Sequence, residues 1–196
     1  MTDILQAWDE ALLLLLNGAP EILAPVAWWL TNPWCSTPVY LFVIWRLFAR
    51  TGVRIGALRL AAVLITFAGT DAISSRVLKP GFERLRPSHN PALEGTLILH
   101  ENEDGTLYRG GRFGFVSSHA ANTFGLASIT LLLLGTSRLR WLWIWAAAVS
   151  WTRVYLGVHY TGDIVFGAVF GIGFATATFT LFRRFLPALS TPEPAP

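Results

Sequence analysis

An all-α membrane protein is the fold class that the sequence predicts, and three features indicate it. Of the 196 residues, 53% are hydrophobic and only 14% are charged, whereas a soluble domain carries about 25% charged residues. Aromatic residues make up 13% of the chain and include nine Trp, a residue that collects at membrane interfaces. Apolar stretches approaching the length of a bilayer span recur along the chain. We predict a polytopic helix bundle that forms one membrane-embedded domain over residues 1–196.

The same composition excludes other classes of protein. The apolar content is too high for a disordered chain. Cys35 is the only cysteine, so a disulfide-stapled secreted fold is excluded. The net charge of +3 comes from basic residues scattered among apolar runs, so we expect no nucleic-acid partner.

The first 33 residues differ from the remainder of the chain. Acidic residues and leucines alternate over 3–16, which is typical of an amphipathic helix at the membrane interface. Prolines in 20–33 disfavour a straight span there, so we predict interfacial or short helices over 1–33.

A transmembrane core at 36–182 and a disordered tail at 185–196 are expected to follow. The core holds five apolar stretches, at about 36–49, 57–78, 117–136, 140–157 and 161–182. This gives five spans, or six if residues 11–31 also cross.

The distribution of arginines predicts the orientation. Arginines cluster at 46–59, 136–140 and 183–184, and two of the predicted spans separate each cluster from the next. The positive-inside rule therefore places all three on the cytoplasmic face. The long connection 79–116 and the short turn 158–162 then lie on the opposite, outer face, and the residues that suggest chemistry all lie there.

Two of three polar clusters on that face have structural as well as functional interpretations. Lys79 and Arg86 lie within the segment Lys-Pro-Gly-Phe-Glu-Arg-Leu-Arg-Pro (79–87) at the end of a span, where basic side chains often only reach toward lipid headgroups. Ser117, Ser118 and His119 open an apolar helix, where a serine is commonly a plain cap. The start of a helix also presents free N–H groups to an anion, and a histidine at membrane depth is costly unless it is functional.

The third cluster is Arg153, His159 and Asp163. A spacing of four residues would place His159 and Asp163 on one face of a helix, where the carboxylate can fix the imidazole tautomer. The other ring nitrogen is then free as a base or nucleophile. A structural His–Asp pair, or a metal site formed with His119, is also open. The cations on the same face favour a bound phosphate over a metal ion, because arginine suits forked phosphate contacts and repels a divalent cation.

Taken in order, these motifs resemble those of the type-2 phosphatidic acid phosphatase family. They read Lys, six residues, Arg-Pro; then Ser-x-His; then Arg, five residues, His, three residues, Asp, and the resemblance spans about 60–182. The family's Pro-Ser-Gly-His reads Val-Ser-Ser-His here, with Ser118 in place of glycine, and its third motif begins with Thr152 instead of serine.

The resemblance implies a role for each motif residue. His159 would be the nucleophile that forms a phosphohistidine, Asp163 would orient it, and His119 would protonate the leaving oxygen and then activate water. Phosphate oxygens would be held by five residues: Lys79, Arg86, Ser117, Ser118 and Arg153. The resemblance implies no metal ion and no cofactor.

The implied activity is hydrolysis of a phosphate or diphosphate headgroup of a membrane lipid. Undecaprenyl diphosphate, converted to undecaprenyl phosphate in cell-wall synthesis, is the favoured substrate. Phosphatidylglycerophosphate, phosphatidic acid and lipid A phosphates are alternatives. The resemblance implies a bacterial cytoplasmic membrane with the site on the periplasmic side. A non-catalytic protein that binds or moves lipid phosphate is the alternative of another class, and the sequence carries no signal for oligomeric state.

Overall fold

The computed structural model describes residues 2–49 and 51–185, and these residues form helices joined by turns and one long loop. The predicted disordered tail at 185–196 lies outside these residues apart from the backbone of its first residue. Within the described ranges there is no strand, only two isolated bridges between extended residues of the long loop. The all-α class is therefore confirmed.

The helices follow the predicted apolar stretches closely. The N-terminal pair is α1 (Thr2–Asn17) and α2 (Ala24–Thr31), with a single 3₁₀ turn between them. The remaining helices are α3 (Pro33–Phe48), α4 (Val53–Ile73), α5 (Lys79–Phe82), α6 (Ser118–Leu134), α7 (Trp141–Tyr155) and α8 (Thr161–Phe185).

Helix length does not confirm the predicted number of spans. Val53–Phe82 (30 residues) and Thr161–Arg184 (24 residues) are long and apolar enough to cross a bilayer. A third span results if Ile4–Asn17 and Glu21–Thr31, which meet at 83°, are counted as one broken span. The bend agrees with the expectation that the prolines of 20–33 prevent a straight helix. The five or six spans, and the position of α1 in the membrane interface, stay predictions.

The helix formed by α4 and α5 changes its winding just before the first motif. A π-helical turn, Ser74–Leu78, joins the two segments, and Pro80 follows within one turn. Proline lacks a backbone donor and clashes with the carbonyl four residues earlier, so a widened turn accommodates it. The helix ends at Glu83, which adopts a left-handed conformation with φ of 49°. The long loop begins after Glu83, whose N–H donates to the carbonyl oxygen of Lys79.

Close packing of α6 against α8 depends on small side chains. A Cβ added to Gly167 would lie 2.7 Å from the carbonyl oxygen of Ser117, and one added to Gly171 would overlap the backbone of Ala121. Small residues spaced four apart allow helix backbones to approach in membranes, where packing must hold helices together. This approach brings the first turn of α6 against the first turn of α8, and the candidate site lies there.

Candidate active site

The three predicted motifs meet at one end of the helix bundle. Lys79 lies in the last two turns of the α4–α5 helix, and residues 117–119 form the N-cap and first turn of α6. Arg153 lies in the last turn of α7, His159 in the following turn, and Asp163 in the first turn of α8. Helix ends that are distant in sequence thus supply one cluster, covered by the loop between α5 and α6.

His159 and Asp163 are buried and hydrogen-bonded, with 3.1 Å between His159 Nδ1 and Asp163 Oδ2. Their geometry differs from the helix-face arrangement that the spacing suggested, because His159 lies in the turn before α8. The same carboxylate oxygen accepts the backbone N–H of Tyr160 at 3.2 Å, so Asp163 caps the turn that presents the histidine. With Nδ1–H donating to the carboxylate, Nε2 keeps its lone pair, and no group in the described residues hydrogen-bonds to it.

The surroundings of His159 keep its imidazole neutral. Burial lowers the pKa of His159 well below the ordinary value, and the positive charges of Arg86, Arg153, Lys79 and Arg84 lower it further. A neutral ring with a free Nε2 is the nucleophilic form of histidine.

Lys79 contacts the residue that replaces the family glycine. Its Nζ donates to Ser118 Oγ at 2.8 Å, and Ser74 Oγ donates to the same oxygen at 2.9 Å. Ser75 Oγ is 3.2 Å from it and completes the set of partners that one hydroxyl can engage. The ammonium at the start of α5 is therefore linked through Ser118 to two further serine hydroxyls.

Arg86 is held by backbone carbonyls and not by an acid. Its Nε donates to Phe113 O at 3.2 Å. Burial and the charge of Arg153 lower the pKa of Arg86 to about 10. Gly110, with φ of +66°, lies against the guanidinium, and a Cβ there would come within 2.5 Å of Nη1. Only glycine leaves room for Arg86 beneath this part of the loop.

Arg153 is anchored by two hydroxyls from distant segments. Its Nη2 donates to Tyr108 Oη at 2.8 Å, and its Nη1 donates to Thr31 Oγ1 at the end of α2. Its Nε is buried without a hydrogen-bond partner among the described residues. The guanidinium is thus fixed in place and still has a donor to offer.

Lys79, Arg86 and Arg153 make no ion pair with any carboxylate in the part of the chain that the structure describes. Clustered, partly or fully buried cations without a direct ion pair are costly to maintain. An oxyanion with several oxygens would offset the charge, so the arrangement is suited to binding phosphate.

Ser117 and His119 occupy the first turn of α6. Ser117 is the N-cap, and its Oγ accepts the N–H of Ala120 at 3.5 Å, which is the structural role that a helix-start serine commonly has. Its N–H donates to Asp163 O at 3.1 Å and so ties α6 to α8. His119 lies close enough to interact electrostatically with four residues of the site: Arg153, His159, Arg86 and Lys79. The second histidine therefore belongs to the same cluster.

Comparison with known proteins identifies the family. The family model described as "PAP2 superfamily" matches residues 56–187, well over half of the chain. The chain belongs to the PAP2 superfamily.

Two relatives point to the same enzyme class. A lipid A 4'-phosphatase of Bacteroides thetaiotaomicron is 35% identical over 100% of this chain and 86% of that protein. A lipid A 4'-phosphatase of Porphyromonas gingivalis is 31% identical over 84% of this chain and 68% of that protein. The chain is a phosphatase, and the alternative of a non-catalytic binder is set aside.

A solved structure shares the fold of this PAP2 phosphatase. It is the transmembrane PAP2-type phosphatidylglycerolphosphate phosphatase of Bacillus subtilis, with a TM-score of 0.61 at 22% identity. The match covers 93% of this chain and 88% of that chain. At this identity the likeness shows the fold alone.

The metal alternative would require His119, His159 and Asp163 to surround one ion. Across residues 2–49 and 51–185 of this PAP2 phosphatase, no three His, Cys, Asp or Glu side chains are grouped to do so. His159 and Asp163 instead bond to each other.

Arg84 of this phosphatase contacts Asp163 of the His159–Asp163 pair, although sequence reasoning passed over it. Its Nη1 donates to Asp163 Oδ1 at 2.8 Å, and its Nη2 donates to Asp9 Oδ2 on α1 at 2.7 Å. One signal could have found it: Arg84 and Arg86 are two residues apart in an extended segment, where alternate side chains share a side. Nothing local could have identified Thr31 or Tyr108 as anchors for Arg153.

Proposed function

We propose that this PAP2 phosphatase removes a phosphate from a lipid A-type glycolipid by a phosphohistidine mechanism. The cations Lys79, Arg86 and Arg153, which make no direct ion pair among the described residues, carry the proposal of phosphate transfer together with the neutral, buried His159 beside them. The substrate class rests on the two relatives, which match along most of their length and are both lipid A 4'-phosphatases. Undecaprenyl diphosphate, favoured by the sequence alone, becomes the competing substrate, with phosphatidylglycerophosphate and phosphatidic acid as further alternatives.

The three cations hold the non-bridging oxygens of the phosphate. The Ser118 hydroxyl, now bonded to Lys79, and the Ser117 hydroxyl at the start of α6 supply further contacts, together with helix N-terminal N–H groups. Fixed positive charges stabilise the equatorial oxygens as charge redistributes during phosphoryl transfer.

In the first step, His159 Nε2 attacks phosphorus in line with the ester oxygen. An N–P bond forms and the P–O bond to the lipid breaks, while His119 gives its proton to the departing oxygen. Asp163 Oδ2 keeps accepting the Nδ1–H and stabilises the positive charge that develops on the ring.

In the second step, His119 accepts a proton from water as the water oxygen attacks phosphorus. The N–P bond breaks, His159 returns to its neutral form, and inorganic phosphate leaves. Every group in this cycle comes from the chain, the substrate or water, so neither a metal ion nor a cofactor takes part.

The site is proposed to face the periplasm from the cytoplasmic membrane. This orientation rests on the arginines at 46–59, 136–140 and 183–184 and on the site's position at the other ends of the helices. A Cys35→Ser protein carrying Glu101→Cys in the loop should react with a membrane-impermeant maleimide added to spheroplasts, whereas one carrying Arg54→Cys should not. The reverse pattern contradicts the orientation.

The activity is tested by phosphate release in EDTA from detergent-solubilised protein and from its His159→Ala variant. The substrates are lipid A bearing a 4'-phosphate, undecaprenyl diphosphate, phosphatidylglycerophosphate and phosphatidic acid. Fastest release from lipid A, abolished by His159→Ala, supports the proposal. If phosphate is released faster from another lipid, that lipid takes the place of lipid A as the proposed substrate. Release that persists in His159→Ala overturns the phosphohistidine mechanism.

A further inference from the structure

The buried pair His159–Asp163 continues into a chain of charged groups that reaches α1. Arg84 bridges two carboxylates, Asp163 Oδ1 at 2.8 Å and Asp9 Oδ2 at 2.7 Å. Gln6 Oε1, one turn earlier on α1, accepts from the same guanidinium at 2.9 Å. Each carboxylate oxygen of Asp163 therefore accepts a hydrogen bond from a different side chain: Oδ1 from Arg84 and Oδ2 from His159.

Arg84 is held by its environment more firmly than a surface arginine. Its side chain is 25% exposed, and its guanidinium carbon lies 4.1 Å from the centre of the Tyr160 ring. Stacking on one face and one ion pair from each Nη restrict its orientation, because the planar guanidinium must satisfy both carboxylates at once.

Asp9 also anchors the start of α8. Its Oδ1 accepts the N–H of Gly162 at 2.7 Å, and a Cβ on Gly162 would lie 2.8 Å from Oδ2. The α1 carboxylate therefore fixes both the arginine behind Asp163 and the backbone beside it. Trp8 and Leu15 on α1 are largely exposed, so the helix that supplies Asp9 carries an apolar surface as well.

We infer that Arg84 and Asp9 are positioning residues for phosphoryl transfer, and that α1 is thereby part of the active site. Arg84 fixes the Asp163 carboxylate in the rotamer that holds His159, and Asp9 fixes Arg84. The inference rests on the proposed function, because it assumes that His159 acts as the nucleophile.

The test compares Arg84→Gln, Arg84→Lys and Asp9→Asn with Glu21→Gln, an exposed acid that precedes α2. Arg84→Gln should lower kcat at least tenfold and leave KM within twofold, because the phosphate-holding cations are untouched. Arg84→Lys should fall between Arg84→Gln and the wild type, because one ammonium cannot bridge two carboxylates in a fork. The acid limb of kcat/KM should move to higher pH in Arg84→Gln, since a positive charge near His159 is lost.

A double-mutant cycle isolates the link between α1 and the arginine. Asn at position 9 can still accept from Gly162, so Asp9→Asn removes mainly the ion pair. Its effect on kcat should disappear in the Arg84→Gln background, and independent, additive losses overturn the link. Inhibition by inorganic phosphate reports whether each variant still folds its site. If Arg84→Gln has the same inhibition constant for phosphate and the same kcat as the wild-type protein, the inference is overturned. If wild-type activity does not depend on His159, the proposed function itself fails.

A second, independent observation concerns a carboxylate inside a candidate span. Asp71 is exposed on α4, and its Oδ1 accepts from Asn122 Nδ2 at 3.1 Å. Asn122 Oδ1 in turn accepts from Thr70 Oγ1 at 2.7 Å. Asn122 follows Ser118 by four residues on α6, so this pair lies one helical turn from the Lys79–Ser118 contact, about 5–6 Å along the helix.

The geometry points to Asp71 and Asn122 as a subsite for a sugar that carries the phosphate. A carboxylate within a span is costly and is retained where it binds something polar. Together the carboxylate and amide offer acceptors and a donor, which suits sugar hydroxyls or an amide and not an acyl chain. This subsite rests on the proposed function, because it assumes that phosphate occupies the neighbouring cations.

Two soluble probes with equal alkyl chains test the subsite: an alkyl glucosamine 4-phosphate and an alkyl phosphate. Wild-type protein should prefer the sugar probe in kcat/KM, and Asp71→Ala should lower that preference at least tenfold while hydrolysis of the alkyl phosphate changes less than threefold. Equal losses on both probes, or no preference in the wild type, overturn the subsite. An Asp71-dependent preference without hydrolysis of lipid A would retain the subsite and reject the proposed lipid.

Discussion

His159 Nδ1 and Asp163 Oδ2 lie 3.1 Å apart, and both side chains are almost completely buried. The carboxylate is fixed from two further directions, by the Tyr160 N–H and by Arg84. The tautomer of the histidine therefore follows from a carboxylate that cannot rotate, and several measurable consequences depend on this arrangement.

Asp163→Asn should lower kcat by about 10³–10⁴-fold, as when the carboxylate of other acid–histidine pairs is made neutral. The amide retains the shape of the side chain and can present its NH₂ to His159, which would select the wrong tautomer. KM should change little because Lys79, Arg86 and Arg153 are untouched. Steady-state kinetics beside Asp104→Asn, an exposed loop acid, check this, and loss of activity in the control would point to a general folding defect.

His159 should stay neutral well below the pH at which histidines ordinarily titrate. Burial and nearby cations lower the pKa of His159, so its ring in the folded protein should remain unprotonated as pH falls through about 6.5. NMR of labelled histidine, assigned by comparison with His159→Asn, measures this titration. A midpoint at or above 6.5 contradicts it.

The same shift makes folding stability depend on pH in a defined direction. The unfolded chain takes up a proton at His159 near pH 6.5, whereas the folded chain does so only at lower pH. His159 therefore contributes a loss of stability as pH falls below about 6.5, and none above it. The His159→Asn variant should lose stability less steeply than the wild type between pH 7 and pH 5 in thermal unfolding.

Tyr108→Phe should weaken phosphate binding while leaving the chemical step intact. The hydroxyl holds Arg153 Nη2 at 2.8 Å, and its loss removes about 1 kcal/mol of anchoring, or roughly fivefold in affinity. The inhibition constant for inorganic phosphate should rise by that factor at unchanged kcat. Tyr40→Phe on α3 is the matched control, and an unchanged constant in Tyr108→Phe would mean that Tyr108 does not position the guanidinium.

Gly171→Val should destabilise the protein, and Gly173→Val should not. A Cβ at Gly171 would overlap the Ala121 carbonyl on α6. A Cβ at Gly173 would meet no described atom from another part of the protein within 4 Å. Overpacking of this kind costs about 1–3 kcal/mol. Thermal unfolding in detergent compares the two valines, and equal melting temperatures would contradict close packing of α6 on α8.

The sequence by itself determined the class of fold and the chemical type of the site. Apolar runs predicted the principal helices because burying hydrophobic side chains in lipid requires such runs whatever the topology. A short motif with fixed spacing contains each of the residues that the sequence predicts for the site: Lys79, Arg86, His119, Arg153, His159 and Asp163. The Pro20–Pro33 region was expected to interrupt a straight helix, and α1 and α2 meet there at 83°.

Only the tertiary structure decided which groups surround those residues. Thr31 and Tyr108 reach Arg153 across 122 and 45 residues of chain, and Asp9 reaches Arg84 across 75. Contacts at such separations depend on how helices pack, and on the glycines that set the distance between α6 and α8. Local spacing can indicate a nucleophile and its carboxylate, but the anchors that hold them come from whichever segments the bundle brings to that end.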